Sequence, residues 1–436
     1  FISLGCDKNL ADSETMLGLL ASRGYQIVDT EEDADVIIVN TCCFIHDAME
    51  ESIETILQMA EYKKSGSLKA LIVTGCMAER YREEITKEIP EVDAVLGTAS
   101  YGHILDAVDG ALAGQSYLKM EPLDTLPLVN THRMVTTGGH YAYLKIAEGC
   151  DKHCTYCIIP KLRGNFRSVP MEHLLREAKQ LADDGVKEII LVAQETTLYG
   201  KDLYGEKKLP ELLRRLCKIG GIRWIRILYC YPEEITEELI QTIKEEPKIC
   251  HYLDLPIQHA SDDVLKRMGR RTSKEELIHI ISRIREEIPD ITLRTTLITG
   301  FPGESKEQHE ELMDFVDEMA FDRLGVFTYS AEDGTPAAQM PDQVEESVKE
   351  ARRAELMELQ QEIAFDQAEQ MIGREVLVMI EGKVADENAY VGRTYKDAPN
   401  VDGLIFVNTD TELLSGDFAK VRVTGACEYD LIGELM

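Results

Sequence analysis

Six of the eleven cysteines fall into two sets of three with different spacing. Cys150, Cys154 and Cys157 are compact, C-x3-C-x2-C within EGCDKHCTYC, whereas Cys6, Cys42 and Cys76 are dispersed, each just after a short apolar run. Three thiolates leave a tetrahedral zinc site one ligand short, but they hold three irons of a cubane cluster and leave the fourth iron open for chemistry. A zinc reading of the compact set needs a fourth ligand. His153 is poorly placed for it, because its neighbour Cys154 is already committed. Two open irons in one chain point to a two-cluster enzyme.

The elements that must position these thiols are legible as three segments, in keeping with a length of 436 residues and the usual size of a domain. Residues 1–115 alternate strand-like runs at 2–4, 36–39, 70–73 and 92–96 with amphipathic helical stretches such as 12–22 and 47–63. That alternation predicts a mainly parallel sheet covered by helices. Cys6 follows ISLG, Cys42 follows VIIVNT and Cys76 follows LIVTG. All three are therefore expected at carboxyl ends of parallel strands, where open α/β sheets bind their ligands. Cys43, next to Cys42 on an extended backbone, is expected to point away from it.

Residues 116–140 show no sustained period, carry Pro, Thr and a Gly pair, and read as a linker. Residues 141–364 offer six strand candidates, at 142–147, 188–193, 224–229, 252–257, 293–298 and 323–329, separated by helical stretches such as 171–184, 274–287 and 306–319. Six β/α units predict a partial TIM-like (β/α)6 barrel with its chemistry at the strand C-terminal ends. A charged helical run at 345–370 leads into residues 371–436, where apolar and polar residues alternate with Gly and Asn between them. This predicts a small antiparallel β-barrel.

The chain carries 47 basic against 79 acidic residues, a formal charge of −32. Such a surface repels a phosphate backbone unless positive charge is concentrated locally. No apolar run approaches a membrane span and no secretory leader pattern is present, so no membrane partner is expected. Eleven cysteines without a leader point to metal or catalytic thiols in a reducing interior, and the cytoplasm is the expected location. The opening run Phe1-Ile2-Ser3-Leu4 reads as a strand already under way, and a few residues are expected before it.

The compact triplet directly after a first strand, with the aromatic Tyr156 before its last cysteine, resembles the radical S-adenosylmethionine superfamily. The resemblance implies that S-adenosylmethionine chelates the open iron and is cleaved to a radical, with the barrel positioning it and excluding water. Tyr156 is expected against the planar base. Gln194, Glu195 and Thr196, ending the second strand, are expected to receive the cofactor's amino group. The turn Gly300-Phe301-Pro302-Gly303-Glu304 follows the fifth strand, and its glycines and Pro302 suit close backbone approach to ribose or adenine. Gln258 and His259 end another strand at the same predicted face.

SLGCDKNLADSE, VNTCCF, VTGCMAER and AEGCDKHCTYCIIPKLRG, followed by a terminal β-domain of TRAM type, together resemble the methylthiotransferases over essentially the whole chain. The resemblance implies two 4Fe–4S clusters, one on Cys6, Cys42 and Cys76 and one on Cys150, Cys154 and Cys157. One S-adenosylmethionine would methylate a sulfur on the first cluster, and a second would make the radical that activates a C–H bond. An electron donor such as flavodoxin or ferredoxin is implied.

Within that family SLGCDKN and RTYKDAPNVDG at 393–403 resemble the RimO branch, which modifies the β-carbon of an aspartate in the twelfth protein of the small ribosomal subunit. Another branch modifies an adenosine beside the anticodon of tRNA, and a non-catalytic cluster or zinc scaffold is a third reading. Cys43 departs from the family, which usually has glycine there. From residue 368 to 436 the chain carries 13 acidic against 6 basic residues, a net of −7. An acidic docking surface suits a basic ribosomal protein and makes tRNA an unexpected partner.

Overall fold

A computed structural model of the chain describes residues 1–126, 128–129, 131–385 and 387–436. The first sheet has five parallel strands in sequence order, Ile2–Ser3, Val36–Thr41, Ala70–Gly75, Ala94–Leu96 and Tyr117–Lys119. Its central runs VIIVNT and ALIVTG are almost wholly buried, as parallel strands covered on both faces must be. Ile37, Val39, Leu71 and Val73 pack with Ile56 and Met59 of the helix His46–Ser65. On the opposite face Ile38 and Ile72 meet Met16, Leu20, Ile104 and Val108.

The fifth strand lies inside the segment predicted as a linker. Three half-exposed edge residues are too few to show a period, so only the register with Ala94–Leu96 reveals the strand. Residues 127 and 130 of that segment lie outside the described residues.

The second sheet has six parallel strands, again in sequence order: Tyr141–Lys145, Glu188–Val192, Trp224–Ile227, Ile249–Asp254, Thr292–Thr299 and Arg323–Thr328. It curves as the predicted partial barrel, with helices on its convex face. The fourth strand starts three residues before the expected 252 and stops at Asp254, because Pro256 has no N–H to continue the ladder. The chain rejoins the sheet only through an isolated bridge between Gln258 and Leu297.

The C-terminal segment is a closed barrel in the order Glu375–Lys383, Ala389–Arg393, Ile405–Asn408, Asp430–Leu435 and Phe418–Cys427. It is not purely antiparallel: Ile405–Asn408 and Asp430–Leu435 pair in parallel. The barrel plugs the concave face of the six-stranded sheet, with Met379, Ala398 and Phe418 against Tyr141, Trp224 and Tyr252. Buried ion pairs fix the seating. Glu188 takes both Arg226 and Arg393 at 2.8 Å, and Arg323 holds Asp397 at 2.5 Å.

The helix expected to be amphipathic from 12 to 22 is Asp7–Ser22, and it is buried nearly all round. Met16 and Leu20 face its own sheet, while Asp12 reaches the barrel domain and Glu14 the segment leading into it. Asp12 pairs with Lys145 and with Arg163 at 2.9 Å, and both cations also hold Glu148, at 2.8 and 3.2 Å. Glu14 accepts from Arg133 at 2.8 Å and from the Thr136 N–H at 2.6 Å.

The GFPGE turn after the fifth strand is built by its own protein contacts. The Glu304 carboxylate accepts from the Gly300 and Phe301 N–H groups at 2.6 and 3.1 Å. A Cβ at Gly300 would sit 2.2 Å from Lys349 Cγ, and one at Gly303 would sit 2.6 Å from an Arg267 nitrogen. The Cβ sides of these glycines therefore abut Lys349 and Arg267, and Pro302 is buried between them. His259 lies fully buried beside this turn, 3.9 Å from Glu304, and its Nδ1 accepts from the Ser261 N–H at 3.0 Å. Burial, with His309, Arg267 and Arg352 nearby, pushes His259 down to about 3.

Both buried groups have consequences for stability. Lys145→Met strands a buried carboxylate and is expected to cost about 3–5 kcal/mol, whereas D12N/K145M, which removes one charge of each sign, costs clearly less; denaturant unfolding of both reads the difference. His259 is neutral when folded, so its contribution is complete above its unfolded value near 6.5 and is lost as pH falls from there towards about 3. Unfolding curves of H259N should therefore lose about 2–3 kcal/mol less than wild type between roughly pH 6.5 and 4.5.

Candidate active site

The dispersed cysteines sit at the carboxyl edge of the first sheet. Cys6 precedes helix Asp7–Ser22, Cys42 directly follows strand Val36–Thr41, and Cys76 opens the helix Cys76–Arg80 after strand Ala70–Gly75. Asn9, fully buried, ties the three loops together. Its Nδ2 donates to the Leu4 carbonyl at 3.0 Å and the Thr41 carbonyl at 2.9 Å, and its Oδ1 lies 3.9 Å from Cys76 Sγ. Ser52 pins Cys42 from behind, accepting from its N–H at 3.0 Å and donating to its carbonyl at 2.8 Å.

Gly75 has φ +94, and a Cβ there would fall 2.4 Å from Asn40 Oδ1 and from the Thr41 carbonyl. Only glycine brings Cys76 this close to the Cys42 strand. Burial pushes the Cys42 thiol up to about 12, and the charges of Cys76 and Cys6 push the same way. Thiols so placed become thiolates together only around bound metal. Cys43 packs in the apolar core beneath, in line with its expected direction.

The compact triplet follows the short strand Ala147–Glu148, which pairs with Arg167–Ser168. Gly149 takes φ +78, and a Cβ there would meet the Asn165 carbonyl at 2.1 Å. The Cys150 N–H donates to the Gly164 carbonyl at 3.1 Å and the Cys157 N–H to the Cys154 carbonyl at 3.0 Å. Thr155 fastens the loop to the far side of the barrel, donating to Met268 and Arg267 carbonyls at 2.9 and 2.8 Å. Burial raises Cys150 to about 11. His153 is exposed and does not complete a zinc tetrahedron. Among the described residues no three Cys, His, Asp or Glu side chains converge on one ion. A cubane holds its thiolates further apart than a single ion does, so three thiols without a single-ion site remain compatible with a cluster.

Gln194 anchors this loop: its Oε1 accepts from the Gly149 N–H at 2.9 Å and its Nε2 donates to Glu148 at 2.8 Å. Glu195 is fully buried, accepts from the Thr197 N–H at 3.0 Å, and leaves Oε2 without a hydrogen bond, 3.9 Å from Lys152 Nζ. Burial pushes its carboxyl up to about 7. The Thr196 hydroxyl and N–H donate to the Leu228 and Tyr229 carbonyls, which leaves the hydroxyl oxygen as an acceptor. Gln258 has φ +72, and its buried Oε1 has no partner. Gln258 lines a cavity of about 190 Å³ together with Tyr156, Phe44, Phe327 and Tyr329. Phe44 lies two residues after Cys42 and Tyr156 one before Cys157, so residues flanking both triplets border the cavity.

Two residues here had no signal in the sequence. Tyr229 adopts φ +61 at the end of the third barrel strand, its ring 3.4 Å from Lys8 Nζ and its hydroxyl 3.4 Å from Asp7. A strained tyrosine is indistinguishable from a strand residue in a list of letters. Arg163 lies within the quoted AEGCDKHCTYCIIPKLRG, yet only the fold shows it reaching across to Cys76.

Three families match in succession: Uncharacterized protein family UPF0004 over residues 1–97, the Radical SAM superfamily over 144–316 and the TRAM domain over 372–436. A relative from Lachnoclostridium phytofermentans is 66% identical over 99% of this chain and 98% of its own. One from Clostridioides difficile is 49% identical over 100% of this chain and 98% of its own. Both are named ribosomal protein uS12 methylthiotransferase RimO. The radical S-adenosylmethionine methyltransferase TsrM of Kitasatospora setae superposes with a TM-score of 0.54 over 75% of this chain and 73% of that one, at 12% identity, a likeness of fold alone. By identity sustained over its whole length, the chain belongs to the RimO family of radical S-adenosylmethionine methylthiotransferases, enzymes that use S-adenosylmethionine and two 4Fe–4S clusters.

Proposed function

We propose that this chain methylthiolates the β-carbon of an aspartate in ribosomal protein uS12, with Cys150, Cys154 and Cys157 holding the cluster that engages S-adenosylmethionine and Cys6, Cys42 and Cys76 holding the second. The observation that carries the reading is the cavity bordered by the flanking residues of both triplets, with the unpartnered Gln258 Oε1 in its wall. When bound, the clusters and S-adenosylmethionine supply the electron, the hydrogen-abstracting radical, the sulfur and the methyl group. The chain's own part is to bind, orient and keep dry. Tyr156 and Tyr329 offer aromatic surface to the cofactor, and Gln258 and Glu195 offer acceptors to its polar groups. Phe44 and Phe327, 41% and 53% exposed, form an apolar rim that the substrate loop covers. A cytoplasmic donor such as flavodoxin or ferredoxin would deliver the electrons.

The terminal barrel is the proposed docking domain, and its surface supports this more narrowly than its net charge does. Glu381, Asp397 and Asp402 are spent on Arg393, Arg323 and Arg294. Asp410, Glu412 and Asp417 stay exposed around one loop, a cluster of carboxylates available to a basic partner.

Mass spectrometry of uS12 from cells with and without the gene should show a methylthio group replacing a hydrogen on one aspartate only when the gene is present. An unchanged uS12 beside altered tRNA adenosine would sink the reading. Cys154→Ala is expected to abolish both methylthiolation and S-adenosylmethionine cleavage to 5′-deoxyadenosine. Cys76→Ala should abolish methylthiolation while cleavage persists, a split read by chromatography of the products. D410K/E412K/D417K should lower kcat/KM for uS12 roughly tenfold at low salt and flatten its salt dependence; unchanged kinetics would move docking elsewhere.

A further inference from the structure

Arg163 belongs to one cysteine triplet by sequence and touches the other in space. It ends the helix Ile159–Arg163 that follows Cys157, yet its guanidinium lies 3.6 Å from Cys76 Sγ and donates to Asn9, the residue that ties the three dispersed loops. It is 3% exposed. The rest of its fork is held rigidly, with one nitrogen donating to Asp12 at 2.9 Å and Glu148 at 3.2 Å. The other oxygen of Glu148 accepts from Gln194, which in turn accepts from the N–H of Gly149, next to Cys150. A continuous polar chain thus runs from Cys76 through Arg163, Glu148 and Gln194 to the compact loop.

The local charge count shows what the arginine adds. Asp12 and Glu148 are balanced by Lys145 and Arg163, so Arg163 is not a stray cation seeking a partner. Its aim at Sγ places a buried N–H donor and a positive charge on a thiolate ligand. Hydrogen bonds to cluster sulfurs and nearby charge are the protein's main means of setting a cluster's potential, and such outer contacts also orient the ligand.

We propose that Arg163 is a positioning residue through which the barrel orients Cys76 and raises the reduction potential of the cluster on Cys6, Cys42 and Cys76. This rests on the two-cluster reading above. The guanidinium withdraws electron density from the sulfur, favouring the reduced cluster, and it makes that potential depend on the barrel being docked.

The test uses the full-length chain carrying C150A/C154A/C157A, so that only the dispersed set binds a cluster, reconstituted anaerobically and titrated electrochemically with detection by electron paramagnetic resonance. Arg163→Met should shift the midpoint negative, and Arg163→Lys, which keeps charge and a donor, should lie between it and the parent. Where R163M alone unfolds, D12N/R163M keeps the buried charges balanced and is compared with D12N. Equal midpoints in the folded proteins with and without the R163M substitution overturn the inference while leaving two clusters standing. Failure of the parent itself to bind about four irons overturns the two-cluster reading, and the inference with it.

Discussion

Asp12, Lys145, Glu148 and Arg163 bury four charges between the first helix and the first barrel strand, and the geometry of the site depends on their mutual satisfaction. Charges taken out of water are costly unless every one finds partners, and few arrangements satisfy two carboxylates and two cations at once. A hydrophobic contact would let the domains slide. This cluster admits one docking, and that docking sets the distance and direction from the Cys76 edge of the sheet to the Cys150 loop. The cavity lined by Phe44 and Tyr156 exists because the two loops are held at that separation.

Much of this was legible because it follows from covalent spacing and strand polarity. Cysteines placed after VIIVNT and LIVTG end up at one sheet edge because parallel strands share their carboxyl side. What escaped depended on tertiary context. Tyr117–Lys119 is a strand only because Ala94–Leu96 offers an open edge. The polar residues of helix Asp7–Ser22 read as a solvent face, since nothing local announces that Lys145 and Arg163 will meet them. Gly300 and Gly303 mark another limit: glycine signals close approach, but not to what, and the protein's own atoms nearest them belong to Lys349 and Arg267.

Charge shows the same limit at the level of a domain. A net of −7 in the last segment suggests one uniformly acidic face, whereas Asp397 and Asp402 are consumed in seating the barrel against Arg323 and Arg294, and Glu381 holds Arg393 within it. Net charge counts residues without regard to burial, and long-range attraction comes only from the carboxylates still facing water.

The terminal barrel has a consequence for how the protein comes into being. It covers Tyr141, Trp224 and Tyr252 on the concave face of a sheet whose last strand ends at Thr328. Those side chains leave the ribosome well before the strands that shield them, beginning at Glu375. Throughout that interval of synthesis the nascent chain presents an aromatic hollow with Arg226 and Glu188 at its floor. That hollow is complete only when Arg393 arrives to pair with Glu188 at 2.8 Å.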